Sequence, residues 1–324
     1  MRIAVLGAGA IGGVIAARLA RAGHAVTAVA RGAHLAAIKA NGLCLRDGEA
    51  ETRVALTAID DAGDLGHADI LFLCVKAHDL ASATSKLDPA LVESAIVVPV
   101  LNGIPWWYRP PGHGRPLRAN DPHELLSKRF ERAIIVAAVA HFAADVPAAG
   151  VVRQTAAGRL ILGGLNGSRD AAAMVLGAFK GVGAGLDVVV TDDIAREVWV
   201  KLAGNAAFNP VSALTGATMS EICASEALLA IVRKAMTECM ETGARCGVAF
   251  PVSVEQRVEM ARAIGGSKLS MLQDLERGRA VEADAMIGAI AEIGRLKDVP
   301  TPTIDMLQAL VSERALRTAN RRST

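Results

Sequence analysis

Apolar and polar positions along the chain change their period once, and that change divides it. Ile3 to Leu6 is a short apolar run that passes directly into Gly7-Ala8-Gly9-Ala10-Ile11-Gly12. A run of this length ahead of glycines reads as a buried strand, and the mixed pattern from Gly12 to Ala22, stopped by Gly23, reads as a helix. A second strand follows over His24 to Ala30. Leu43 to Ala50 reads as a hairpin about Asp47-Gly48. Apolar runs at Ala68–Val75 and Ser94–Leu101 predict buried parallel strands. Pro99 is awkward in the second, because it has no N–H for the ladder and belongs at an edge or a bulge. Further strands are expected at Arg132–Ala140, Gly150–Gln154, Arg159–Leu162 and Leu186–Val190, with a helix at Ala171–Lys180. From Asp193 onward only helical patterns remain: Asp193–Phe208, Glu221–Cys246, one opened by the capping box Ser253-Val-Glu-Gln256, Val281–Lys297 and Thr303–Arg317. The expected fold class is α/β: an N-terminal Rossmann-type dinucleotide-binding domain over residues 1–191, then an all-helical C-terminal domain over residues 192–324.

The glycine loop carries the first chemical signal. G-x-G-x-x-G between a strand and a helix is the dinucleotide fingerprint in its required context. Gly7 permits the tight turn, Gly9 lets the backbone approach a pyrophosphate, and Gly12 lets helix and strand pack closely. The helix N-terminus then offers free N–H groups to phosphate oxygens. NAD-type sites usually place a carboxylate at the end of the second strand. Here that end reads Ala28-Val-Ala-Arg31, and no acidic residue occurs before Asp47. Arg31 can pair with a 2′-phosphate that a carboxylate would repel, so NADPH/NADP is favoured over NAD(H).

Lys76 and Asn102 each follow an apolar strand at its carboxyl end, where open α/β sheets bind ligands. In the helical half, Lys201, Asn205 and Asn209 are spaced by four and form one polar stripe. Spacing alone leaves two readings of it, a solvent-facing stripe or a buried one that needs polar partners. Pro210 suggests that the helix kinks or ends there. Ser270-Met-Leu-Gln-Asp274 and Glu282 form a third group. Between Leu101 and Arg132, the stretch Trp106 to His123 is a long Pro/Gly loop. It holds two of the three tryptophans, Trp106 and Trp107, and the only tyrosine, Tyr108. Such a loop reads either as an aromatic lid over a cleft or as an Ω-like loop packed on its own aromatics.

Composition narrows the picture. The 324 residues are 52% apolar and 21% charged, with a formal net charge of +2, and the mean hydropathy is +0.34. A densely packed globule is expected, with no reason for a nucleic-acid or membrane partner. The apolar N-terminal stretch is broken by glycines and does not read as a signal peptide. Five cysteines, Cys44, Cys74, Cys223, Cys239 and Cys246, lack C-x-x-C spacing. They read as thiols in a reducing, cytoplasmic compartment, with no metal site.

Taken in order, these motifs resemble the ketopantoate reductase (2-dehydropantoate 2-reductase) family. They are the N-terminal fingerprint with Arg31, Val75-Lys76-Ala77, Leu101-Asn102-Gly103, Lys201-x-x-x-Asn205-x-x-x-Asn209-Pro210, and Ser270-Met-Leu-Gln-Asp twelve residues before Glu282. The resemblance implies reduction of the 2-keto group of ketopantoate to (R)-pantoate with NADPH, toward pantothenate and coenzyme A. It implies Lys201 as the general acid, with Asn102, Asn205, Asn209 and Ser270 holding substrate. Asn102 would also lie near the nicotinamide, Lys76 would support the cofactor, and Glu282 would hold a cofactor ribose and orient Lys201. The family often carries a further substrate-binding Asn after Asn209-Pro210, where this chain has Met219. That difference leaves open a paralogous reductase of another small 2-keto acid. A β-hydroxyacid dehydrogenase is a second alternative, though Ile11 stands where that group usually has Met. An NADPH-binding redox sensor without turnover is a third. The helical half could form a homodimer, the commonest soluble oligomer.

Overall fold

The computed structural model describes residues 1–266 and 268–323. The chain divides into two compact units. One comprises Met1–Leu101 and Leu125–Ile194, and the other comprises Asn102–Glu124 and the chain from Ala195 onward. The pattern along the sequence predicts a single boundary near residue 191, with the Pro/Gly loop in the first domain. In the structure that loop groups with the helical unit.

The first unit is built on one sheet. Its strands are β1 (Arg2–Leu6), β2 (Ala25–Val29), β3 (Leu43–Asp47), β4 (Ala50–Val54), β5 (Thr57–Ile59), β6 (Ile70–Leu73), β7 (Ile96–Pro99), β8 (Ile134–Ala148), β9 (Val151–Gly164) and β10 (Leu186–Val190). Their order is β4-β3-β9-β8-β7-β6-β1-β2-β5, with β10 paired to β9. The block β5-β2-β1-β6-β7-β8 is parallel throughout. Parallel strands are covered on both faces and therefore read as unbroken apolar runs, and all four residues of β6 are buried. The expected separate strands at 150–154 and 159–162 are one strand, β9. It pairs antiparallel with β8 and, along its other edge, parallel first with β3 and then with β10.

Pro99 finds its place through register. Ile96 and Val100 donate to β6-side carbonyls, of Asp69 and Leu73, so the nitrogens of Val97 and Pro99 face β8. Pairing with β8 is regular at Ile96 and Val97 and resumes only as a single bridge at Val100. The missing N–H falls in that interruption.

Helices of this unit are α1 (Ala10–Arg21), α2 (Gly32–Asn41), α3 (Leu80–Thr84), α4 (Pro89–Ser94), α5 (Leu125–Arg129) and α6 (Arg169–Ala178). The reading from pattern passed over α2 to α5, which are short or weakly amphipathic. α1 buries Val14, Ile15, Ala16, Ala17 and Leu19 against the sheet. A Cβ on Gly12 would collide with the Gly7 carbonyl and the Cβ of Cys74, so the third fingerprint glycine does set the helix–strand distance. Arg18, on the same helix, is fully buried. Its guanidinium donates to Gln154 Oε1, to the Val182 and Ala184 carbonyls and to Asp47 Oδ2 at 2.6 Å, which satisfies a charge that burial alone would exclude.

The second unit holds α7 (Ile194–Thr215, whose first residue closes the first unit), α8 (Met219–Ala224), α9 (Glu226–Arg245), α10 (Val254–Arg262), α11 (Ser270–Glu276), a π turn (Asp284–Gly288), α12 (Ala289–Leu296) and α13 (Pro302–Ser323). α7 does not stop at Pro210 but runs on to Thr215. The long helix expected over Glu221–Cys246 is two helices. Ser225 adopts an extended backbone and caps α9 with its side chain, so the chain turns there. The Ser253–Gln256 capping box opens α10 as expected, and an unread second box, Thr218–Glu221, opens α8. Glu238 of α9 accepts the Thr303 and Ile304 N–H groups at 2.9 and 2.8 Å, placing a carboxylate on the N-terminus of α13. Among the described residues no helix is long and apolar enough to cross a membrane.

Candidate active site

Two residue groups matter, one in each unit. In the first, Gly9 is the N-cap of α1 and has no side-chain cap, and the first turn carries no acidic residue. A Cβ built on Gly9 would meet nothing within 4 Å. Free helix N–H groups beside open space suit a pyrophosphate. Arg31 stands two residues beyond the end of β2 as the N-cap of α2, and it is exposed. Among the described residues it forms no hydrogen bond or ion pair through its side chain, so its guanidinium is available to a phosphate. Lys76 follows β6 and opens a short 3-10 turn. These residues fit a dinucleotide cofactor.

The second group centres on Asn102, Lys201 and Glu282. Lys201 Nζ donates to Asn102 Oδ1 at 2.8 Å, and Asn102 Nδ2 donates to Glu282 Oε2 at 3.5 Å. The amide bridges ammonium and carboxylate, and its orientation is fixed by having a donor on one side and an acceptor on the other. Burial lowers the Lys201 pKa to about 8, while the Glu282 charge works in the opposite direction. Glu282 itself is 9% exposed, so its carboxylate lies within the fold and not on a solvated helix face.

Asn102 reaches this position because its segment is docked on the turn after Glu282. Gly103 has φ +79°, and a Cβ there would collide with the Ala285 carbonyl; Ile104 N–H donates to that carbonyl at 2.8 Å. Ala285 lies in the π turn, an irregularity common at functional sites. Farther along the loop, the Arg118 and Ala119 N–H groups donate to Glu292 of α12 at 2.9 Å each. Trp106 and Tyr108 are 3% and 6% exposed. Trp199 Nε1, two residues before Lys201 on α7, donates to the Tyr108 hydroxyl at 3.0 Å with the rings edge to face. For these two aromatics the lid reading is replaced by that of a self-packed anchor. Tyr108 ties the loop to the helix that bears Lys201, and with the Glu292 bonds this groups the loop with the helical unit.

The polar stripe of α7 is not solvent-facing. Asn209 is 3% exposed, and Lys201 and Asn205 are half-buried. Asn209 Oδ1 accepts from Ser270 Oγ at 3.2 Å and from the Met271 N–H at 3.3 Å. Its partner is thus the start of α11, a contact the sequence reading did not foresee. Met219 is buried at the first position of α8. All five cysteines are free thiols. Gly103 stands in the sequence motif Leu101-Asn102-Gly103 without an assigned role; the structure gives it one, the close approach to the Ala285 carbonyl.

A glycine-loop α/β unit and a helical unit with a half-buried lysine bonded to Asn102 define a nicotinamide-dependent oxidoreductase. The comparisons with known proteins name the family. The chain belongs to the ketopantoate reductase PanE/ApbA family, whose N-terminal profile matches residues 3–167 and whose C-terminal profile matches residues 193–315. It is 44% identical over 321 residues to a 2-dehydropantoate 2-reductase of Mesorhizobium japonicum, covering 98% of each chain. The crystal structure of a PanE/ApbA family ketopantoate reductase from Ralstonia eutropha JMP134 matches with TM-score 0.84 at 29% identity, over 98% of this chain and 99% of that one. D-mandelate dehydrogenase, solved with NADH and anilino(oxo)acetate, shares the fold at TM-score 0.83 and 23% identity, over 98% and 99% of the two chains.

Proposed function

We propose that this protein reduces the 2-keto group of 2-dehydropantoate to (R)-pantoate with NADPH. The observation that carries the reading is the hydrogen-bonded Lys201–Asn102–Glu282 arrangement in a chain of this family. NADPH, when bound, would supply a hydride for the ketone carbon. Negative charge then develops on the ketone oxygen, and Lys201 stabilises it and delivers a proton from Nζ. A pKa of about 8 suits that role, because the group is charged at neutral pH yet gives up its proton readily. Asn102 accepts one ammonium hydrogen and so aims the others, and Glu282 keeps Lys201 charged through the field it exerts. Glu282 is also assigned a contact with the cofactor ribose, and Lys76 supports the cofactor.

Asn205, Asn209 and Ser270 offer hydrogen bonds to the substrate carboxylate and hydroxyl. Asn209 contributes its amide N–H₂, since its oxygen already serves Ser270 and Met271. Arg31 selects NADPH over NADH through the 2′-phosphate. The residues point to a cytoplasmic enzyme acting on a small 2-keto acid, with a homodimer as the expected assembly.

One observation favours a second reading. Met219 is buried in the segment where relatives often carry a substrate-binding Asn, and an apolar side chain there suits a 2-keto acid with fewer hydroxyls. The test is steady-state NADPH oxidation with ketopantoate and with 2-ketoisovalerate, which lacks the hydroxyl. A site built to bond a hydroxyl rejects the analogue strongly, so kcat/KM should favour ketopantoate by a large factor. Comparable values would move the protein to the second reading.

A further inference from the structure

His34 lies on α2, one turn beyond Arg31. Its Nε2 is 2.9 Å from the carbonyl oxygen of Ala8, inside the glycine loop. Its Nδ1 accepts the N–H of Gly150, at the turn between β8 and β9, at 3.0 Å. A backbone N–H can only donate, so Nδ1 carries the lone pair and Nε2 carries the hydrogen that goes to Ala8. Burial lowers the His34 pKa, which agrees with a neutral ring.

The bond acts on the Ala8–Gly9 peptide. Peptide units are planar and trans, so the carbonyl of residue 8 and the N–H of residue 9 point in opposite directions. Holding the Ala8 oxygen toward α2 turns the Gly9 N–H away from it, and the Gly9 position borders open space. The preceding peptide is held separately, by Ala8 N–H to the Val29 carbonyl at 2.9 Å. The Gly150 contact is itself a stop. A Cβ on Gly150 would sit 2.9 Å from the Ala37 Cβ, so the hairpin turn is pressed on α2 and holds the ring from behind.

We propose that His34 is a positioning residue for the cofactor loop: it sets the Ala8–Gly9 peptide so that the Gly9 N–H faces the dinucleotide pyrophosphate. This rests on the reading that the loop binds a nicotinamide dinucleotide. The two ring nitrogens can be replaced one at a time. His34→Gln places an amide donor near the Nε2 position but no acceptor near Nδ1. His34→Asn places an acceptor near Nδ1 but nothing that reaches Ala8.

The test is calorimetric titration of the full chain and each variant with NADPH and with NADH, alongside urea unfolding of the cofactor-free proteins. His34→Gln should keep the wild-type Kd within about twofold. His34→Asn should weaken binding about five- to tenfold, the scale of one lost hydrogen bond, with an unfolding midpoint no lower than that of the Gln variant. Equal weakening in both variants would mark His34 as packing only and overturn the proposal, as would unchanged binding in both. A wild-type chain that bound neither dinucleotide would instead overturn the reading beneath it.

Discussion

Glu282→Gln is the perturbation that probes the site most sharply. It removes a charge while keeping an oxygen for Asn102 Nδ2. Burial pulls the Lys201 pKa down to about 8, and the Glu282 charge is what opposes the fall. Without that charge the pKa must drop further. An opposite charge at close range is worth about one to three pH units, and the bridge through Asn102 argues for the lower end, about one. The sign follows directly. Lys201 must be protonated to reduce a ketone, so activity falls as pH rises through the lysine pKa, and in the variant it falls at lower pH. With the pKa moved from about 8 to about 7, the protonated fraction at pH 8 drops from about one half to about one tenth, a loss of about fivefold. At pH 6 both forms are protonated and the rates should nearly agree.

The assay is single-turnover hydride transfer at saturating NADPH across pH 6 to 9. Saturation removes any loss from the ribose contact assigned to Glu282. A basic limb that stayed in place, or moved upward, would show that the carboxylate does not act on Lys201 and would sink this account of the acid.

Other expectations are simpler. Lys201→Ala should lower kcat by about 10²–10⁴, the range for a lost general acid, with calorimetric NADPH affinity intact; a chemical step near the wild-type rate would remove Lys201 from its role. Arg31→Ala should weaken NADPH by about 1–3 kcal/mol, the scale of a charged hydrogen bond, and leave NADH unchanged; equal losses with both would contradict the 2′-phosphate assignment. Tyr108→Phe leaves the buried Trp199 N–H without its partner, which should cost about 1–3 kcal/mol in denaturant unfolding. A variant as stable as wild type would show that ring packing alone holds the loop.

The sequence by itself determined the class. The glycine fingerprint, the unbroken apolar runs of β6 and β7 and the four-residue spacing on α7 are local patterns, and each follows from the geometry of one strand or one helix. Arg31 and the missing carboxylate at the end of β2 were legible for the same reason. Tertiary structure decided how these pieces meet. Asn102 and Lys201 lie 99 residues apart in the chain, and their bond exists because Gly103 lets the loop press on the π turn beside Glu282. Nothing local marks a π turn within Val281–Lys297, or the break at Ser225 in a sequence that reads as one helix. The Trp106–Tyr108 loop had two readings from composition, and the burial of Trp106 and Tyr108, with Tyr108 bonded to Trp199, chose between them for these two residues. Asn209 looked like a residue in need of a ligand, and the fold gave its oxygen to Ser270 and Met271. His34 had no sequence signature, because its role depends on a carbonyl 26 residues before it and an N–H 116 residues after it. Periodicity reports what each segment buries; which partner a polar atom finds is set only when distant segments pack.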